Sequence, residues 1–70
     1  PLIIALSTND ALSGSAKNIG ALMNYKNVYF VPFSQDNPHN KERSCIADMN
    51  LIDDTIKSAL KGVQFQPMIK

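Results

Sequence analysis

Leu2-Ile3-Ile4-Ala5-Leu6 followed by Ser7-Thr8-Asn9-Asp10 decides how this chain is read. The first five residues form a continuous apolar run with no period-two alternation, the pattern of a strand covered on both faces, as in a parallel sheet. The next four are small and polar, favouring turns and helix caps, and they end the strand. A second apolar run, Val28-Tyr29-Phe30-Val31, is rich in β-branched and aromatic residues and stops at Pro32, where a ladder donor is lost. Between the two runs, Leu12, Ala16, Ile19, Leu22 and Met23 fall at helical spacing, with Ser13 or Ser15 available as N-cap. Strand, helix and strand in about 30 residues make one βαβ crossover, expected to be right-handed with parallel strands.

The remainder is less regular. From Phe33 to Ser44 the residues are mostly polar, and a loop is expected. Asp53 or Asp54 then caps a helix in which Ile52, Ile56, Ala59, Leu60 and Val63 share a face, with Gly62 as its C′ residue. The tail from Val63 to Lys70 suits an edge strand or an extended arm. The expected elements are strands at about residues 2–7 and 27–32 and helices at about 14–25 and 53–61, with boundaries good to roughly two to four residues. Two strands buried on both faces, with helices that cover mainly one face, do not make a self-sufficient sheet. Pro1 also leads into the first strand without a start methionine. The expectation is a piece of a longer protein with further strands upstream.

Composition narrows the function classes. Seven Lys and Arg against six Asp and Glu leave a net charge of +1, and the basic residues form no run, so nucleic-acid binding is disfavoured. The apolar runs are far shorter than the roughly 20 residues that cross a bilayer, and no membrane association is expected. One cysteine, Cys45, excludes an internal disulfide framework and fits a reducing cytoplasm; with His39 the sole histidine, soft ligands are too few for a structural zinc site.

Three blocks carry a family resemblance: Leu2 to Leu12, reading LIIALSTNDAL; Lys26 to Asp36, with KN-VYFVPF-QD; and Gly62 to Pro67, GVQFQP. In this order they resemble the end of the family formed by the B subunits of dipicolinate synthase, within the homo-oligomeric flavin-containing cysteine decarboxylase superfamily. The resemblance implies an α/β fold, the C-terminal part of a doubly wound, Rossmann-like parallel sheet in a three-layer flavoprotein. Residues 1–70 would then be the C-terminal portion of one domain whose N-terminal strands and flavin-contacting loops lie upstream. It also implies FMN bound at the contacts of a homo-oligomer. The expected role is in forming pyridine-2,6-dicarboxylate from dihydrodipicolinate during sporulation, with a companion polypeptide that binds NAD(P). A Pro-x-Met-Asn loop of the superfamily corresponds to Ser7-Thr8-Asn9, where only Asn9 matches by type. The superfamily's oxidative decarboxylation is therefore not carried over.

Ser7, Thr8, Asn9 and Asp10 lie just past the end of a parallel strand, where open α/β sheets place ligands, and they could bond a flavin edge, a phosphate or a carboxylate. Ordinary turn and capping chemistry needs the same residue types. Gly14 could let a helix N-terminus approach a phosphate, but the rest of a phosphate-binding pattern is missing and a relaxed turn explains it better. Tyr29, Phe30 and Phe33 could wall a planar ring, yet their place on and beside a buried strand makes them core. Asp36, His39 and Glu42 have no fixed geometry and read as solvated loop charges, and Cys45 reads as an inert thiol. Catalytic residues are not identifiable. Two classes stay open: part of an oxidoreductase, or a non-catalytic module that stabilises its nicotinamide-dependent partner.

Overall fold

The computed structural model describes all residues from Pro1 to Lys70. The order of elements is β1 (Leu2–Ile4), β2 (Ser7–Thr8), α1 (Ala16–Met23), β3 (Val28–Phe30), β4 (Phe33–Ser34), β5 (Cys45–Ala47), a 3₁₀ turn (Met49–Leu51) and α2 (Ile52–Ala59). β1 and β3 pair in parallel, Ile3 opposite Tyr29, with α1 in the crossover. This is the βαβ unit expected from the apolar runs. A second sheet, in the order β2-β5-β4, is antiparallel throughout.

That second sheet corrects the sequence reading in two places. Ser7 and Thr8 continue as a strand instead of forming only a turn, and the polar stretch after Phe33 is bracketed by strands. The reason is tertiary. The Ala47 N–H donates to the Leu6 carbonyl at 2.7 Å and the Asp48 N–H to the Pro32 carbonyl at 2.8 Å, so β5 is recruited by backbone groups that the main strands leave free at their ends.

β3 is the centre of the core. Val31 is fully buried and Phe30 nearly so, with exposures of 0% and 1%. Alternation along the strand sends Val28 and Phe30 towards one face, where they meet Ile4, Leu6, Ile19 and Leu22, the last two from α1. Tyr29 points the other way, its hydroxyl close to Gly62 at the end of α2, and α2 packs against β1 and β3 from that side. The helices thus lie on opposite faces, where the sequence had suggested mainly one. Tyr29, Phe30 and Phe33 are core residues, as their placement implied. β1 is less covered than its apolar run suggested: Ile3 and Ile4 are half-buried and Leu2 is exposed. Its edge away from β3 carries no strand within these residues.

The helix ends differ from expectation for local reasons. α1 begins at Ala16, after a turn organised by Asp10, whose carbonyl accepts from the N–H groups of Ser13 and Ser15. Ser15 sits at the N-cap, but its hydroxyl donates to the Asp10 carboxylate at 2.8 Å and caps nothing. α1 also buries less than its periodicity implied; Leu12 and Met23 remain exposed along an open apolar groove that Phe33 and Ile69 also line. Before α2, Asp48 is the capping residue, its carboxylate accepting from the Asn50 N–H at 3.1 Å, while Asp53 and Asp54 fall inside the first helical turn. The buried side of α2 is Thr55 and Ala59; Ile56, Leu60 and Val63 are exposed. Thr55 satisfies its hydroxyl on the Leu51 carbonyl at 2.7 Å. Gly62 does hold the C′ position, with φ of 75°, and the bonds from Gly62 N–H to Ala59 and from Val63 N–H to Ser58 complete a Schellman ending.

The tail returns to the core as an extended arm. Phe33 donates to the Met68 carbonyl and accepts from the Lys70 N–H, giving a parallel bridge between Phe33 and Ile69. Gln64 has a larger part: its side-chain oxygen accepts from the Phe30 N–H at 2.8 Å and its NH₂ donates to the Phe30 carbonyl at 2.6 Å. One amide side chain therefore does for Phe30 what a neighbouring strand would do, and closes the second edge of β3.

Candidate functional site

Where β2 meets β5, Ser7 pairs with Ile46 and Thr8 with Cys45, and a polar cavity of about 320 Å³ opens beside them. This volume falls at the lower end of the roughly 300–1,000 Å³ typical of small-molecule sites. Ser7, Thr8, Asn9, Asp36, Lys41 and Ser44 supply polar groups around it, with Cys45 and Ile46 completing the lining. Three of the four residues singled out in the sequence are thus brought together.

Asp10 is not among them. Its carboxylate accepts from the Thr8 hydroxyl at 2.7 Å and from the Ser15 hydroxyl at 2.8 Å, and these two bonds hold its pKa below the usual carboxylate value. Asp10 shapes the turn that presents Thr8 and Asn9. Gly14 serves the same turn, because a Cβ there would lie 2.9 Å from the Asp10 carboxylate. Asn9 is exposed and stands outside this network, which uses Thr8, Asp10, Ser13 and Ser15. Its amide can both donate and accept.

The far wall comes from the loop that had read as solvated charge. Asn37 organises it: its carbonyl accepts from the Lys41 N–H at 2.7 Å and its side chain from the Asn40 N–H at 3.3 Å. The Ser44 N–H donates to the Lys41 carbonyl, and the Leu12 N–H to the Arg43 carbonyl, which ties the loop to the turn before α1. Asp36 and Lys41 face the cavity as a result, while His39 and Glu42 do not line it. The Ser44 hydroxyl beside Asp36 holds its carboxyl below the usual range against the opposing effect of desolvation, and backbone N–H groups and Lys41 add to the lowering. Asp36 is therefore an anion at neutral pH.

Cys45 is buried, and that burial, with Asp36 nearby, pushes its thiol up, so it remains protonated and inert. No group of three or more His, Cys, Asp or Glu is placed to hold a metal ion, and no helix is long and apolar enough to cross a membrane.

Sequence reasoning missed Lys41 and Ser44 as lining residues. The usable signal was Asn37-Pro38-His39-Asn40, a turn-forming run that folds Lys41 back towards β2.

No family model matches the chain. It is similar to the B subunit of dipicolinate synthase from Bacillus subtilis, with 44% identity over 69 residues, which is 99% of this chain and 34% of that protein. The crystal structure of the dipicolinate synthase B subunit from Bacillus halodurans matches with a TM-score of 0.98 and 47% identity, over 100% of this chain and 36% of that one. The parallel sheet and its helices match part of a Rossmann-like α/β fold. The chain spans about a third of the length of these relatives, and over that span it belongs to the family of dipicolinate synthase B subunits.

Proposed function

We propose that this chain supplies the acid-binding wall of a dipicolinate synthase, acting with a nicotinamide-dependent companion in forming pyridine-2,6-dicarboxylate from dihydrodipicolinate in the cytoplasm of a sporulating cell. One observation carries the reading. In a chain of this family, Lys41, the Asn9 amide and the Ser7 and Ser44 hydroxyl groups surround one cavity, beside a strand that follows the end of parallel β1. Carboxylates are held by such donors, and the ends of parallel strands are where open α/β sheets bind ligands.

FMN fits this cavity only in part. Lys41 and the hydroxyl and amide groups suit a phosphate or the polar edge of a flavin, but no aromatic residue lines the cavity to take a flat ring. No flavin chemistry is accordingly assigned to these residues. FMN, homo-oligomeric assembly and the flavin-contacting loops belong to the whole protein in this reading.

A second reading, a non-catalytic module that steadies its companion, draws support from the absence of a general acid or base poised near neutral pH. His39 lies outside the lining, and Asp36 is held well ionised.

Asn9→Ala in the full native polypeptide tests the site. Titration calorimetry with pyridine-2,6-dicarboxylate should show binding weakened by about 1–3 kcal/mol, with the melting temperature nearly unchanged. Lost stability with unaltered affinity would remove Asn9 from the site. The visible absorption spectrum of the purified protein reads the flavin separately.

A further inference from the structure

Gly20 is the fifth of the eight residues of α1, and nothing within the chain requires a glycine there. Gly62 is the glycine with positive φ; Gly20 is helical, and a Cβ on it would have no atom within 4 Å beyond its own stretch of helix. A glycine in mid-helix costs backbone entropy that an alanine does not. Where neither φ nor internal packing asks for it, close approach by another backbone is the remaining physical reason. Its surroundings point the same way. Ala16 and Gly20 are exposed along the apolar groove, between Leu12 at one end and Met23 at the other, with Phe33 and Ile69 opposite and no charged side chain in the lining.

The position of the groove narrows what covers it. Phe33 pairs with Ala47 of β5 on one side and with Ile69 on the other, and β5 lies towards β2, the continuation of β1, so the Ile69 wall faces away from β1. The relatives are about three times as long as this chain, and further length extends the parallel sheet where an edge is open. That edge is on β1; the outer edge of β3 is closed by the Gln64 amide on Phe30 and by the Asp48 N–H on the Pro32 carbonyl. The sheet therefore grows away from the groove. We propose that α1 of a second copy of this chain docks here, antiparallel across a twofold axis. This rests on the reading of the whole protein as a homo-oligomer and adds the face through which two copies meet. Leu12, Ala16, Gly20 and Met23 run large, small, small, large at steps of four, four and three, a pattern that reads nearly the same in both directions. An antiparallel copy then sets Ala16 against Gly20 at the crossing, where the backbones come close, and Leu12 against Met23 at each end. Such self-complementarity is what a twofold contact needs, because one patch has to serve both sides.

Sedimentation velocity on the full native polypeptide, purified without its companion, tests the contact. Gly20→Gln has room in the single chain and favours the helix, so it is expected to fold, with unchanged helical circular dichroism. It should nevertheless shift the protein to smaller species, raising the dissociation constant of the contact by about thirtyfold or more, as blocking the centre of an interface does. Ala16→Gln, at the facing position, should act in the same way. Leu60→Gln, on the exposed side of α2, should leave the assembly intact. Native assembly retained in either the Gly20 or the Ala16 variant overturns the α1 contact and leaves the homo-oligomer standing, as does loss of assembly in Leu60→Gln alone. Weakened binding of the companion with self-association unchanged would assign the groove to the companion and overturn the proposal. If the native polypeptide sediments as a monomer at every concentration, the homo-oligomeric reading falls, and the contact with it.

Discussion

The parallel unit β1–α1–β3 and the antiparallel sheet β2–β5–β4 are held by different means. The first rests on apolar contacts between residues far apart in the chain, with Phe30 and Val31 wholly inside and α1 and α2 on opposite faces. The second consists of strands two or three residues long, attached through Leu6, Pro32 and Phe33 to backbone groups at the margins of the first. The parallel unit is therefore the scaffold, and the antiparallel sheet, which carries the cavity, is shaped by it. Binding residues commonly sit on such attached segments because a rigid scaffold can position them without burying them.

The largest effect should come from breaking the scaffold. Val31→Asp places an unpaired carboxylate at a position with no exposure, a cost of several kcal/mol against a total stability that for a chain of this size is about 5 kcal/mol. Soluble, cooperative folding should be lost. Ile4→Asp, on the half-covered strand β1, should cost distinctly less. Denaturant titration of both variants measures the difference, and equal losses would mean that β1 is as deeply enclosed as β3.

The joint between the two regions comes next. Gln64→Ala removes at once the partners of the Phe30 N–H and of the Phe30 carbonyl and should destabilise by about 2–3 kcal/mol. Gln64→Glu keeps an acceptor for the Phe30 N–H but sets a carboxylate against the Phe30 carbonyl, and should be no better tolerated. Amide hydrogen exchange at Phe30 reads this directly: protection retained in Gln64→Ala would show that another group closes this edge.

Much of the scaffold was legible because its signals are long enough to repeat. The two apolar runs, the helical spacing from Leu12 to Met23 and the Gly62 ending all correspond to structural features. Cys45-Ile46-Ala47 offers a single alternation, too short to distinguish from loop, and β2 is made of residues that favour turns. The caps misled because Asp10 and Asp48 act through a turn and a 3₁₀ segment that precede the helices, so the carboxylates lie outside the windows where caps are sought. The candidate site was half legible. Ser7, Thr8 and Asn9 follow from strand-end logic, whereas Asp36, Lys41 and Ser44 reach the cavity through the Asn37-Pro38-His39-Asn40 turn, whose residue types announce a turn but not which side chains it brings inward.

Gly62→Ala should give a smaller effect confined to the end of α2. The added methyl would meet the Tyr29 hydroxyl at an ordinary 3.9 Å, so the cost is only that of holding a non-glycine residue at φ of 75°, about 1 kcal/mol. A thermal melt lowered by a few degrees fits this, and an unchanged melt would mean that the ending relaxes without loss. The cavity should be indifferent to the substitution.

The smallest expected effect is a pH dependence that separates the two regions. Asp10, Asp36 and Asp48 all have pKa values lowered from 3.8, by the Thr8 and Ser15 hydroxyls, by Ser44, and by Lys70 respectively, as the largest causes. A depressed carboxylate stabilises the fold fully above its unfolded pKa, and the contribution is lost as pH falls through the folded value. All three contributions are therefore intact at neutral pH and disappear below pH 3.8. Asp36 and Asp48 flank β5 and the tail, and Asp10 holds the turn after β2, so the loss falls on the antiparallel sheet and leaves the uncharged β1–β3 pair aside. Amide exchange followed from about pH 5 to pH 2, corrected for intrinsic rates, should show Cys45 and Ala47 losing protection before Tyr29 and Phe30. Asp48→Asn should reduce that acid sensitivity around Ala47 while leaving Phe30 unaltered, because it removes the carboxylate that Lys70 grips at 2.6 Å. Simultaneous loss at all four amides would instead show that the two sheets open as one cooperative unit.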